Sequence, residues 1–315
     1  MRRFIGLLFI LFFITSCASV NRKAGDNDYE KDFEFRETPY SNCYNVLPFT
    51  LNYTQSKCYP IYKINNSFLL LDTGTDWTYV GKKGLSDLFA SIYDEVMKHT
   101  DELENDGNVE IFLNPVGYWI LPSFSGDQKN LPFRFANCDF PEFDGIIGND
   151  SFRNFSNVIF DYKNKLIVFD GETIDGDALP MIIDENGLCF IEFLCDGKKE
   201  TGMIDTGADS LIMRSTFFEK PCEYNHASKE KIKELQRRGV KQTKSKIYTF
   251  KEIQIGSTKY SKMKGRLASD QQVKITDEAR GRLTEYSLLG FPFFEGKIIQ
   301  LDYKNKVFRI GKEDK

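Results

Sequence analysis

The chain has 315 residues, 41% of them hydrophobic, with 28 Phe and 15 Tyr; that is apolar mass enough for two packed domains and excludes a wholly disordered protein. A formal net charge of −4 leaves no basic footprint for a nucleic-acid partner. The two histidines, His99 and His226, stand apart from any nucleophile motif, and no Cys-x-x-Cys occurs, so neither a serine or cysteine hydrolase nor a metal or other cofactor is expected.

Residues 1–17 begin with Arg2 and Arg3 and run apolar from Phe4 to Ile14, the form of a secretory signal and too short to span a bilayer comfortably. Ile14-Thr15-Ser16-Cys17 resembles a bacterial lipobox. That resemblance implies lipidation of Cys17 and a body anchored by lipid in the bacterial cell envelope, facing the periplasm or the exterior. Residues 18–44 are polar and charged without sustained periodicity, and read as a flexible spacer. Giving Cys17 to lipid leaves six cysteines in a compartment that permits disulfides. Cys43 and Cys58 are candidates to face each other across a hairpin turning near Asn52-Tyr53. Cys189 and Cys195 fall on one face of one strand, about 20 Å apart, too far to pair with each other. Buried free thiols are an equally good reading for those two.

From residue 45 the chain repeats itself. An apolar run ends in Asp72-Thr73-Gly74, and a second ends in Asp205-Thr206-Gly207. A given tripeptide arises by chance roughly once in several thousand positions. Residues 85–104 carry apolar Leu88, Phe89, Ile92, Tyr93 and Val96 at helical spacing, which predicts a helix with Ser86 as its N-cap. Residues 228–238 predict a shorter helix stopped by Gly239. Elsewhere short runs of Val, Ile, Phe and Tyr alternate with polar residues and predict strands. An apolar-apolar-Gly element follows in each half, Ile146-Ile147-Gly148 and Leu288-Leu289-Gly290. Each half closes on one pentapeptide, Asp161-Tyr162-Lys163-Asn164-Lys165 and Asp302-Tyr303-Lys304-Asn305-Lys306, whose Lys-Asn-Lys suits a hairpin tip. The Asp-Thr-Gly copies lie 133 residues apart and the pentapeptides 141 apart, so the halves differ by loop insertions. The expected organisation is one lobe over 45–172, a second over 180–313, and a connector between Gly171 and Asn186.

Paired Asp-Thr-Gly motifs, each followed by an apolar-apolar-Gly element, resemble the aspartic proteases of the pepsin and retropepsin kind. The resemblance covers most of the chain after about residue 45. It implies an all-β protein, mainly β with a few short helices, built as two similar β-barrel lobes with the active site between them. Asp72 and Asp205 are the implied catalytic pair, with Thr73, Gly74, Thr206, Gly207, Ile147, Gly148, Leu289 and Gly290 supporting them. Thr75, Asp76, Ala208, Asp209 and Tyr118 are candidate substrate contacts, and residues about 108–120 are the candidate flap, equally readable as a buried aromatic strand. Asp76 and Asp209 are equally readable as turn-stabilising residues at strand starts.

The chemistry agrees with the resemblance. Two carboxylates about 3 Å apart do not both ionise easily, so they share one proton and titrate as a pair. The ionised member takes a proton from water, and the protonated member donates to the scissile carbonyl. Thr75 offers Asp72 a hydroxyl where Ala208 offers Asp205 none, which predicts that Asp72 carries more of the negative charge. A polypeptide substrate, a membrane contact through the N-terminal lipid and a monomeric state follow, since one chain supplies both aspartates. The competing expectation is a non-catalytic cell-surface lipoprotein that binds peptides or partner proteins in the same cleft.

Overall fold

The computed structural model describes residues 46–54, 57–64, 66–88, 94, 111–113, 133–135, 143–213, 247–267 and 286–311. Among them strands dominate and helices are short: Lys82–Leu88, Asn149–Phe152 and one 3-10 turn, Phe291–Phe293. No helix among the described residues is long and apolar enough to cross a membrane.

The two halves use one strand order. In the first, Thr50–Thr54, Lys57–Ile64, Ser67–Leu71, Gly145–Ile147, Tyr79–Val80, Phe133–Phe135 and Ile111–Leu113 neighbour one another in that sequence. In the second, Gly176–Ile183, Cys189–Cys195, Lys198–Ile204, Ser287–Leu289, Leu211–Met213, Thr258–Leu267 and Ile247–Ile255 do the same. There Leu194 and Cys195 also pair with Gln254 and Ile253, closing six strands into a barrel. Closure satisfies the edge groups that an open sheet would expose.

The strand before each Asp-Thr-Gly runs parallel to the apolar-apolar-Gly strand, with Leu71 opposite Ile147 and Ile204 opposite Leu289. All four side chains are fully buried, as expected of parallel strands covered on both faces. This pairing is why the apolar-apolar-Gly elements keep their register with the aspartates.

A shared sheet joins the halves. Asn157–Asp161 pairs antiparallel with Ile298–Asp302, and Ile159 stands opposite Gln300. Those two residues are themselves 141 apart in sequence, the offset of the pentapeptide repeat, so the pseudo-two-fold axis passes between them. The pentapeptides close the hairpins on either side of this sheet. Asp161 accepts from the backbone and side-chain nitrogens of Asn164 at 2.8 and 2.7 Å, and Asp302 accepts likewise from Asn305, both at 2.8 Å. The final lysines then take left-handed backbone conformations, φ 58° at Lys165 and 55° at Lys306. The motif is thus turn chemistry written twice.

Three local expectations need correction. The helix starts at Lys82, with Leu85 N–H donating to the Gly81 carbonyl, so Ser86 is an exposed residue within it and not its N-cap. Within this first turn Gly84 packs closely on the neighbouring chain: a Cβ there would meet the Asp144 carbonyl at 2.5 Å. The first hairpin reverses beyond Asn52-Tyr53, because Tyr53 pairs with Cys58 and Thr54 with Lys57. The stretch expected as a connector carries the strand Gly176–Ile183, which pairs with Val307–Gly311 and then with Cys189–Cys195. Cys189 and Cys195 are free buried thiols, and burial, helped by nearby Asp196 and Glu200, pushes Cys195 up to about 12. Cys17, Cys43, Tyr118, the helix at 228–238 and most of the flap segment lie outside the described residues.

Candidate active site

Asp72 and Asp205 sit at the ends of equivalent strands, Ser67–Leu71 and Lys198–Ile204. Asp72 N–H donates to the Ile147 carbonyl and Asp205 N–H to the Leu289 carbonyl, both at 3.0 Å. The aspartates are 7% and 1% exposed.

The motif threonines tie the two turns together crosswise. Thr73 N–H donates to Thr206 Oγ1 and Thr206 N–H donates to Thr73 Oγ1, each at 3.0 Å. In turn Thr73 Oγ1 donates to the Ile204 carbonyl at 2.8 Å, and Thr206 Oγ1 donates to the Leu71 carbonyl at 2.7 Å. Each hydroxyl therefore spends its one hydrogen on the opposite strand and accepts from the opposite turn. Both threonines are fully buried, where hydrogen bonds are costly to leave unmade.

The glycines determine what fits between the turns. A Cβ on Gly74 would lie 2.3 Å from the Asp205 carboxyl carbon, and one on Gly207 would lie 2.4 Å from that of Asp72. Each carboxylate is thus packed on the opposite turn's glycine. Only a residue without a side chain permits that approach.

The two acids differ in surroundings. Asp72 Oδ1 accepts from Gly74 N–H at 2.8 Å, and its Oδ2 accepts from the Thr75 hydroxyl at 2.6 Å. Burial raises Asp205 well above the ordinary aspartate range, and the charge and hydrogen bonding of Asp72 raise it further. Its Oδ1 is buried without a hydrogen-bond partner among the described residues, although the Gly207 and Ala208 amides lie close enough to pull the pKa part-way back. Burial thus favours the protonated form of Asp205, while the Asp72 carboxylate accepts from two donors on its own turn. Asp76 and Asp209 are half-buried where the turns end, Asp209 accepting from the Ser210 hydroxyl at 2.8 Å.

Residues not singled out from the sequence brace the first turn. After Gly148, Asn149 donates its backbone N–H to the Thr75 carbonyl at 2.8 Å and its side-chain Nδ2 to the Thr73 carbonyl. Asp150 N–H reaches the Asp76 carbonyl at 3.0 Å. The Thr78 hydroxyl accepts from Gly148 N–H at 3.1 Å, donates to Asp150 Oδ1 at 2.7 Å, and meets Ser151 Oγ at 2.6 Å. Asp150 is nearly fully buried, and that burial outweighs the Thr78 hydrogen bond to push it up to about 6. The one available signal was the polar pair Asn149-Asp150 directly after an apolar-apolar-Gly run.

No family model matches this chain, and no curated protein matches it. Among solved structures it is similar to a retropepsin-like aspartic protease from Rickettsia conorii, at 17% identity and TM-score 0.29, over 44% of this chain and 94% of that one. It is also similar to basic 7S globulin from soybean, at 10% identity and TM-score 0.45, over 86% of this chain and 95% of that one. Conglutin gamma, a basic 7S globulin from lupine seeds, gives 10% identity and TM-score 0.46, over 86% and 95%. Likeness at these identities says nothing about chemistry, so any case for a reaction rests on the residues of the dyad.

Proposed function

We propose that this chain is an aspartic endopeptidase, hydrolysing peptide bonds with a water activated by Asp72 and Asp205 sharing one proton. The observation that carries this reading is the crosswise threonine lattice, which holds two buried carboxylates against each other's glycines. A turn-stabilising role for Asp-Thr-Gly needs no such partner across the pseudo-two-fold axis. Asp72, held as the anion by Gly74 N–H and the Thr75 hydroxyl, takes the proton from water. Asp205, kept neutral by burial, donates to the scissile carbonyl as charge develops on it. Both acids belong to one chain, so a monomer suffices. In this reading the substrate is a polypeptide, and the lipobox-like Ile14-Thr15-Ser16-Cys17 holds the enzyme at the bacterial cell envelope.

The test is peptide cleavage by the full-length protein in detergent micelles, from acidic to neutral pH. Asp72→Asn and Asp205→Asn are each expected to lose at least about 100-fold in kcat, the scale of one general acid or base. If wild type cleaves nothing, or either variant matches it, the shared-proton reaction fails. The same cleft is then left with a binding role alone.

A further inference from the structure

The pentapeptide repeat has a part beyond closing hairpins. Its tyrosines, Tyr162 and Tyr303, each reach the residue that follows the apolar-apolar-Gly element of the opposite half. Tyr303 donates its hydroxyl to Asn149 Oδ1 at 2.8 Å. Tyr162 instead packs its ring edge-on against Phe291, centroids 5.8 Å apart. Asn149 and Phe291 occupy equivalent places, one after Gly148 and the other after Gly290, so the contact is duplicated in position but not in chemistry.

The consequence falls on the dyad. Asn149 holds the Asp72 turn at two carbonyls, Thr75 through its backbone N–H and Thr73 through Nδ2, on either side of Gly74. Phe291 holds the Asp205 turn at the Ala208 carbonyl through its backbone N–H at 2.8 Å, and its side chain has no donor to offer. The Asn149 amide bonds to Thr73 only with Nδ2 facing that carbonyl, which leaves Oδ1 needing a donor. Tyr303 supplies it. Burial, reinforced by the neighbouring Cys189 thiol, holds the Tyr303 hydroxyl well above its ordinary range, so it stays a donor at any working pH.

We propose that Asn149 and Tyr303 are positioning residues: a clasp reaching from the opposite half that fixes the turn carrying Asp72. The kinetic part of this inference rests on the endopeptidase reading; the structural part does not.

The experiment compares full-length wild type, Tyr303→Phe and Tyr162→Phe by amide hydrogen exchange at both turns, alongside kcat and KM on a cleaved peptide. Tyr303→Phe is expected to speed exchange at Gly74 and Thr75 by roughly tenfold, the worth of one buried hydrogen bond, and to leave Gly207 and Ala208 unchanged. It should lower kcat by a similar factor while KM stays within about twofold, the pattern of a group that orients the reacting acid without binding substrate. Tyr162→Phe should match wild type in exchange and in kcat. Asn149→Ala probes the contact from the other end and guards against a Tyr303 variant that does not fold. Combined with Tyr303→Phe, it should exchange no faster than Asn149→Ala alone, because Tyr303 acts through Asn149. Equal acceleration at both turns, additive acceleration in the double variant, or no change at Gly74 and Thr75 overturns the clasp. A wild type that cleaves no peptide sinks the endopeptidase reading by itself, and the exchange result still decides the clasp.

Discussion

Asp150 is a buried acid whose cost is readable as a function of pH. It is 4% exposed, its Oδ2 has no hydrogen-bond partner among the described residues, and burial raises it from 3.8 to about 6 against the opposing pull of Thr78. Between those two values the unfolded chain has released its proton and the folded protein has not. The unfolded state therefore binds fewer protons, and stability falls as pH rises. At about 1.36 kcal/mol per unit, the full loss is about 3 kcal/mol, complete once the pH exceeds the folded value. Asp150→Asn removes this titration while keeping the acceptor for Thr78. The amide also buries an NH₂ where Oδ2 lies, at a cost of about 1–3 kcal/mol, so the variant's stability at a single pH decides nothing. That cost does not depend on pH, and the difference between two pH values isolates the carboxyl. Urea unfolding at pH 4.0 and 7.5 should show wild type losing about 2.5 kcal/mol relative to Asp150→Asn across the interval. Parallel pH dependences for the two proteins would refute a buried, proton-holding Asp150.

Two further outcomes follow from the dyad. Gly74→Ala places a methyl 2.3 Å from the Asp205 carboxyl carbon, so peptide cleavage should fall by at least about 100-fold, and stability measured by urea unfolding should drop by about 1–3 kcal/mol. Thr75→Ala removes the hydroxyl that stabilises ionised Asp72, so the acidic limb of the kcat/KM profile should move to higher pH. A profile that keeps wild-type limbs would place the working negative charge elsewhere.

What the sequence made legible is what the chain repeats. Asp-Thr-Gly, apolar-apolar-Gly and the closing pentapeptide recur in one order, and the mainly β architecture with its shared strand order follows that repeat. What it hid is where the halves differ or depend on long-range contact. Ser86 has the chemistry of an N-cap, yet the helix starts earlier, at the Gly81 carbonyl, where Gly81 N–H bonds the distant Asp144 carbonyl and Gly84 packs on it. Nothing local marks Thr78 as the hydroxyl serving Gly148, Asp150 and Ser151, since its partners lie 70 or more residues away. Asn149 and Tyr303 are separated by 154 residues, and only the shared sheet brings them together.

The asymmetry of the two halves is where the proposed chemistry would gain from duplication within one chain. A dyad made of identical turns would leave its single proton divided evenly between two equivalent acids. Here the Asp72 turn carries Thr75, Asn149 and, through Asn149, Tyr303, and the Asp205 turn carries Ala208 and Phe291 at the corresponding places. The first set supplies side-chain donors to the Asp72 turn, and the second supplies apolar side chains to the turn whose acid burial raises. Exchanging the pair that faces the carboxylates, with Thr75→Ala and Ala208→Thr in one protein, should move the anionic member of the dyad toward Asp205. Carboxyl chemical shifts of the two aspartates, followed through a pH titration, would report that reversal directly. If Asp205 still takes the proton first as pH falls, burial rather than the Thr75 hydroxyl sets the order.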